Sequence, residues 1–181
     1  MSRLNRYWHR TLISTALATT MAAASPFAIA ADPPAANSAE RNGCSTFIEN
    51  RNLANFKAYL AALLGGDFTT ALGYFAPDGV VEIHGASLPF AGTYTVADGA
   101  YAAVQTQYWN FSTTAPPEPT LYADCDKVFL KGAFQRIAKA TGQTIDTTVI
   151  EFFTFNKQGL IARDDFYFTD TATVKAVLGV P

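Results

Sequence analysis

Between Cys44 and Leu64, apolar residues recur at helical spacing. Phe56, Leu60, Leu63 and Leu64 form one stripe, with Leu53 and Tyr59 on its flanks. The pattern predicts a helix over this stretch, stopped by Gly65-Gly66. Asp67 is placed to cap a short second helix, Phe68 to Phe75, and Pro77-Asp78-Gly79 reads as a turn. Val80 to His84 then reads as a strand, Phe90 to Tyr94 adds a short extended piece, and Val96 to Trp109 makes a third helix begun near Thr95. Beyond a Pro-rich, irregular stretch from Thr113 to Pro119, long strands take over. They run from about Leu121 to Ala138, Thr144 to Phe155 and Leu160 to Phe168, joined at Ala140-Thr141-Gly142 and Asn156-Lys157-Gln158-Gly159. A short C-terminal helix, Thr171 to Leu178, follows. Helices first and an antiparallel meander after them predict an α+β domain. A strongly curved antiparallel sheet would wrap the N-terminal helices and leave a hollow suited to a small molecule.

Charge narrows the partners. The chain has 181 residues, 49% hydrophobic and 15% charged, with a formal net charge of −2. No basic run follows residue 10, so nothing favours nucleic acid. The early cations Arg3, Arg6 and Arg10 precede a small, apolar run, Thr11 to Phe27, and an A-x-A site, Ala28-Ile29-Ala30. These are the parts of a secretory signal peptide, residues 1–30, cleaved near Ala30. Ser14, Thr15, Thr19, Thr20, Ser25 and Pro26 interrupt the run, which falls short of the roughly 20 apolar residues of a membrane anchor. A flexible leader over residues 31–43 and a single domain over 44–181 are expected. The mature protein would be periplasmic or secreted, with no membrane insertion after signal removal. Export puts Cys44 and Cys125, the only possible internal pair, in an oxidising compartment. A disulfide between them would stabilise the domain by roughly 4 kcal/mol in the chain-entropy view.

One residue stands out against its surroundings. Thr148 to Phe155 is β-branched and aromatic, apart from Glu151. Such a carboxylate either faces solvent or sits in a pocket where its charge is costly. A four-residue final turn would set Phe155 opposite Leu160 and Glu151 opposite Asp164, on a face shared with Val149, Phe153, Ala162 and Phe166. Two carboxylates so placed share a proton and can work as acid and base. A three-residue turn would set Glu151 opposite Asp165 instead. In the preceding hairpin, a three-residue turn would pair Arg136 with Asp146. The outward row Thr148, Ile150 and Phe152 is too apolar for a solvated face, so a homodimer is expected. Tyr101, Tyr108, Trp109 and Phe111 cluster by the third helix. With His9 in the signal, His84 is the one histidine left, and the sequence has neither metal-ligand spacing nor a Gly-rich phosphate loop. Chemistry without metal or organic cofactor is therefore expected.

Three stretches carry a family resemblance: Gly66-Asp67-Phe68 through Tyr74-Phe75-Ala76-Pro77-Asp78-Gly79-Val80-Val81-Glu82; Pro89-Phe90-Ala91-Gly92-Thr93-Tyr94 with Asp98-Gly99; and Phe153 to Ile161 with Phe166-Tyr167-Phe168. In order and spacing the chain resembles the SnoaL-like and ketosteroid-isomerase-like branch of the nuclear transport factor 2-like superfamily. That resemblance implies the cone fold. It also places an oxyanion-binding tyrosine at Tyr59, a protonated acid at Glu151 and the general base at Ile83. Isoleucine cannot move a proton. Glu82 and His84 are the nearest substitutes, on the opposite strand face by alternation. The candidate catalytic residues are thus Tyr59, Glu151, Asp164 and His84. The pocket wall is expected from Ile83, Tyr108, Trp109, Val149, Phe153, Phe166 and Phe168. The family hosts isomerases, cyclases, dehydratases, epoxide hydrolases and non-catalytic binders. The expected function is binding of a small apolar organic ligand, with isomerase, cyclase or dehydratase chemistry at a carbonyl or hydroxyl compound; the alternative is a non-catalytic binding or dimeric interaction module.

Overall fold

Seven strands build one sheet in the computed structural model of the chain, which describes residues 44–112 and 114–181. The expected signal peptide and leader lie outside the described residues. The helices are α1 (Thr46–Leu64), α2 (Phe68–Leu72), α3 (Ala100–Tyr108) and α4 (Thr171–Leu178). The strands are β1 (Phe75–His84), β2 (Gly92–Thr95), β3 (Trp109–Phe111), β4 (Thr120–Asp124), β5 (Lys127–Ala138), β6 (Thr144–Phe155) and β7 (Ile161–Phe168). They pair in the order β2-β1-β7-β6-β5-β3, and β4 pairs with β5 off that path. The result is an α+β fold with a strongly curled half-barrel sheet and N-terminal helices. Every ladder is antiparallel except β1–β7, where strands distant in sequence meet in parallel.

Four boundaries differ from the sequence expectation. Helix α2 stops at Leu72, and Phe75 already belongs to β1. Pro77-Asp78-Gly79 is therefore no turn. It is an irregular step inside β1, where the register jumps from Phe75↔Ile161 to Val80↔Arg163. Gly79 is required there, because a Cβ would lie 2.9 Å from the carbonyl oxygens of both Ala76 and Ile161. Helix α3 begins four residues later than expected, at Ala100, and ends at Tyr108, so Trp109 opens β3. The expected long strand from Leu121 to Ala138 is a hairpin, β4–β5, reversed at Cys125 (φ 57°). Cys125 is disulfide-bonded to Cys44, with Cα atoms 5.5 Å apart.

Helix α1 is tied to the sheet by polar contacts at two turns. Asn52, 1% exposed, donates through Nδ2 to the Cys125 carbonyl at 3.0 Å. Arg51 Nη1 reaches the Lys157 carbonyl at 3.0 Å, and Asn55 Nδ2 the Gly159 carbonyl at 2.8 Å. These ties rotate the helix relative to the expected stripe. Asn52, Phe56 and Tyr59 are its buried residues. Phe56 and Tyr59 pack their rings tilted against Phe153 at centroid distances of 4.6 and 5.8 Å. Leu60, Leu63 and Leu64 instead face a cavity.

Candidate active site

The cavity opens where β5 changes neighbours. Its outer edge pairs with β4 along Lys127–Lys131 and with β3 along Arg136–Ala138, leaving residues 132–135 without a partner on that side. The connection passing this gap carries Pro116, Pro117 and Pro119, which have no N–H to offer a ladder. The space available to water centres is about 60 Å³. Helix α1 contributes Tyr59 and its leucines, α2 contributes Phe68, and α3 contributes Tyr101 and Gln105. From the sheet come Leu130, Phe134 and Arg136 on β5, Val149 and Glu151 on β6, and Phe166 on β7.

Most of this lining is apolar, and its polar groups are perturbed. Tyr59 and Tyr101 are 2% and 4% exposed. Burial, then neighbouring charge, pushes both phenols well above their ordinary range, so they are neutral donors. Burial raises the Glu151 carboxyl to about 8 against the opposing pull of the Arg136 guanidinium. Behind it, Asp164 is 0% exposed, and neither of its carboxyl oxygens has a hydrogen-bond partner among the described residues. Burial, then the charges of Glu151 and Asp165, holds Asp164 well above the carboxylate range. A buried carboxyl with no partner is tolerable only in its neutral form.

The register that assembles this group corrects the expected one. Phe155 lies opposite Ile161, Glu151 opposite Phe166, and Asp164 opposite Phe153. The turn takes five residues, Asn156 to Leu160, closed by Asn156 Oδ1 accepting from the Gln158 and Leu160 amides at 3.0 Å each. A bulge then leaves Ala162 unpaired between Phe155↔Ile161 and Thr154↔Arg163. Its extra residue restores the face: Ile161, Asp164, Phe166 and Phe168 are all buried. Glu151 and Asp164 therefore share the inner face diagonally rather than directly across. Arg136 also differs. It lies opposite Ile145, and Gln135 takes the expected place opposite Asp146, to which it donates at 3.1 Å. That one-residue difference turns Arg136 inward, onto the cavity.

Other expected residues lie elsewhere. His84 is on the outer face, its Nε2 3.0 Å from Asp165 Oδ1 and its ring stacked 4.1 Å from Tyr167. Glu82 and Arg163 join it there; Arg163 forms a bidentate pair with Asp165 at 2.8 Å and bonds Glu82. The sequence shows no metal-ligand cluster, yet parallel β1–β7 pairing brings donor atoms of Glu82, His84 and Asp165 within 4.8 Å of one another. Arg163 already pairs with both carboxylates. Of the expected pocket wall, Val149 and Phe166 line the cavity. Ile83 and Phe153 are core residues, 2% and 1% exposed. Tyr108, Trp109 and Phe168 pack around Phe90 at centroid distances of 5.1, 5.8 and 5.9 Å instead of lining the cavity. Gln105 was not expected, and Arg136 was expected opposite Asp146 rather than on the cavity. The signal for Arg136 was its alternation with Phe134 and Ala138, both inward-facing.

Residues 56–164 match the SnoaL-like domain. The chain belongs to this family. Among solved structures, this SnoaL-like chain is similar to a nuclear transport factor 2-like protein from Burkholderia xenovorans LB400, with 24% identity and a TM-score of 0.59 over 71% of this chain and 97% of that one. A candidate isomerase from Bacillus subtilis gives 17% identity and 0.59 over 73% and 95%. A candidate polyketide cyclase from Xanthomonas campestris pv. campestris gives 16% and 0.58 over 72% and 98%. At these identities the likeness is one of fold. No curated protein matches the SnoaL-like chain.

Proposed function

We propose that this SnoaL-like protein binds a small organic carbonyl or hydroxyl compound in the cavity and moves a proton on it, as an isomerase, cyclase or dehydratase does. The observation that carries the reading is Glu151: a carboxyl in an apolar cavity, with a pKa of about 8, beside two buried tyrosine hydroxyls. A base is most effective when its pKa lies near the working pH. Ionised Glu151 takes a proton from the carbon next to the carbonyl. Tyr59 and Tyr101 donate hydrogen bonds to the oxyanion that develops, and protonated Glu151 returns the proton at another position. A single carboxyl thus does the work for which the resemblance would place a base at Ile83. The isomerase and cyclase neighbours support the class of chemistry. The disulfide supports export to an oxidising compartment, with residues 1–30 as signal and 44–181 as the folded part. No helix among the described residues is long and apolar enough to cross a membrane.

The test is exchange of the α-protons of a small cyclic ketone such as 2-tetralone in D₂O, followed by NMR. Wild type accelerates exchange over buffer, Glu151→Gln lowers the rate by about 10²-fold or more, and Tyr59→Phe lowers it about tenfold through the lost donor. Exchange at the buffer rate, with bound ketone, would favour a non-catalytic binder.

A second reading concerns the outer face. Tyr122, Phe129, Phe152 and Tyr167 form a continuous aromatic row across four strands, with centroids 5.2 to 6.0 Å apart. Tyr122 is 65% and Phe152 47% exposed. Such a row supports a homodimer joined through this face.

A further inference from the structure

The cavity holds a cation that its own carboxylates do not neutralise, and the geometry points to a small planar carboxylate as the ligand, bound edge-on by Arg136. This rests on the reading of the cavity as a ligand site and adds the charge of the ligand. Arg136 is half-buried and lines the cavity. Among the described residues no carboxylate lies within 4.0 Å of its guanidinium, in contrast to Arg163, which holds two. Its Nη1 donates to the Gln135 carbonyl at 2.8 Å. The ring of Phe111 lies 4.4 Å and that of Phe134 5.1 Å from its central carbon. Two aromatic contacts and a backbone hydrogen bond fix the plane of the guanidinium before any ligand arrives. A planar fork held in this way suits a carboxylate, which takes two parallel N–H bonds.

The charge balance agrees. Glu151, raised to about 8, is mostly neutral at pH 7, and Asp164 is held neutral by burial and by its neighbours. The phenols of Tyr59 and Tyr101 are neutral as well. The cavity at pH 7 then carries mainly the positive charge of Arg136, and an incoming anion meets little ionised carboxylate. With the carboxylate on Arg136, the rest of the ligand lies along Phe134, Val149 and Phe166, and its carbonyl or hydroxyl faces Glu151 and the tyrosines. The ligand class is therefore a small aromatic or cyclic acid bearing a keto or hydroxy group.

The experiment is a pair of NMR titrations of the purified protein at pH 7, with benzoate and with its neutral isostere benzamide. Benzoate is expected to bind at least tenfold more tightly than benzamide. Arg136→Gln should lower benzoate affinity at least tenfold and leave benzamide affinity within twofold. Equal affinity of wild type for the two probes overturns the inference and needs no variant, so misfolding of Arg136→Gln cannot hide the answer. Benzamide binding that is as tight as benzoate binding and weakened by Tyr59→Phe removes the anion while leaving the cavity reading in place. Binding of neither probe overturns both.

Discussion

Glu151→Gln should make the protein more stable at high pH and leave it almost unchanged at low pH. Glutamine has the shape of the protonated acid but cannot ionise. In the unfolded chain the carboxyl titrates near 4.5; in the fold it titrates near 8. Below pH 4.5 both states hold the proton and the residue contributes no pH dependence. Between pH 4.5 and 8 the folded state alone retains it, so stability falls as pH rises through this window and levels off above 8. At 1.36 kcal/mol per pH unit, the ionised form costs the fold about 5 kcal/mol. Arg136 opposes that cost and burial drives it. Urea denaturation of wild type and Glu151→Gln from pH 5 to pH 9 measures the difference directly. The groups distant from the site are common to both proteins, so the difference between the two curves reports Glu151 together with its coupling to Asp164, whose carboxyl the Glu151 charge raises. The variant is expected to gain about 4–5 kcal/mol relative to wild type between these limits. Parallel curves would refute the buried neutral carboxyl. A wild type that gains on the variant as pH rises would show an ionised, ion-paired Glu151 and remove the proton carrier from the proposed chemistry.

Two further tests address the frame around the site. Replacing both Cys44 and Cys125 with serine releases a loop of 81 residues, worth about 4.5 kcal/mol in the chain-entropy relation; calorimetry should show a fall in Tm of roughly 10–15 °C, and a fall below about 3 °C would mean that Asn52 and the packing of α1 hold the turn without the bond. On the outer face, Phe152→Lys places a charge in the middle of the exposed aromatic row, and light scattering should report a dimer for wild type and a monomer for the variant; a monomeric wild type would discard the interface.

Much of the fold was legible because its signals are local. Strand β6 and helix α4 run from Thr144 to Phe155 and from Thr171 to Leu178, as composition and capping imply, and Asp170 caps α4 through the Thr173 amide at 2.9 Å. The inward face of Glu151 was also legible from its alternation with Val149, Phe153 and Phe155. What escaped depends on single residues placed by distant partners. The five-residue turn and the bulge at Ala162 each shift the Glu151 partner by one, from Asp164 to Phe166, and nothing in a run of β-formers marks which residue is left unpaired. One residue in the β5–β6 connection decides whether Arg136 faces Asp146 on the outside or the cavity on the inside. The Cys125 reversal reads as continuous strand until the helix side chain that bonds its carbonyl, Asn52, is in place. The separation of His84 from the cavity followed directly from alternation in β1.

The same topology explains how the site manages without a carboxylate at Ile83. Strand β1 lies beside β7, with Val81 opposite Asp164 and Ile83 opposite Phe166. A carboxyl on the inner face is thus supplied from the neighbouring strand, and it is set too deep to touch a ligand: Asp164 is fully buried and lines no part of the cavity. Its effect passes through Glu151. Were Glu151 to ionise alone, Arg136 would compensate it; were both acids to ionise, the second charge would have no partner, since both oxygens of Asp164 lack one. The pair therefore resists losing both protons, and in the proposed chemistry Glu151, the member that reaches the cavity, is the one that exchanges a proton. Removing the Ile83 base from the plan leaves one carboxyl alternating between acid and base. In the proposed chemistry that favours reactions in which the proton returns to the face from which it was taken.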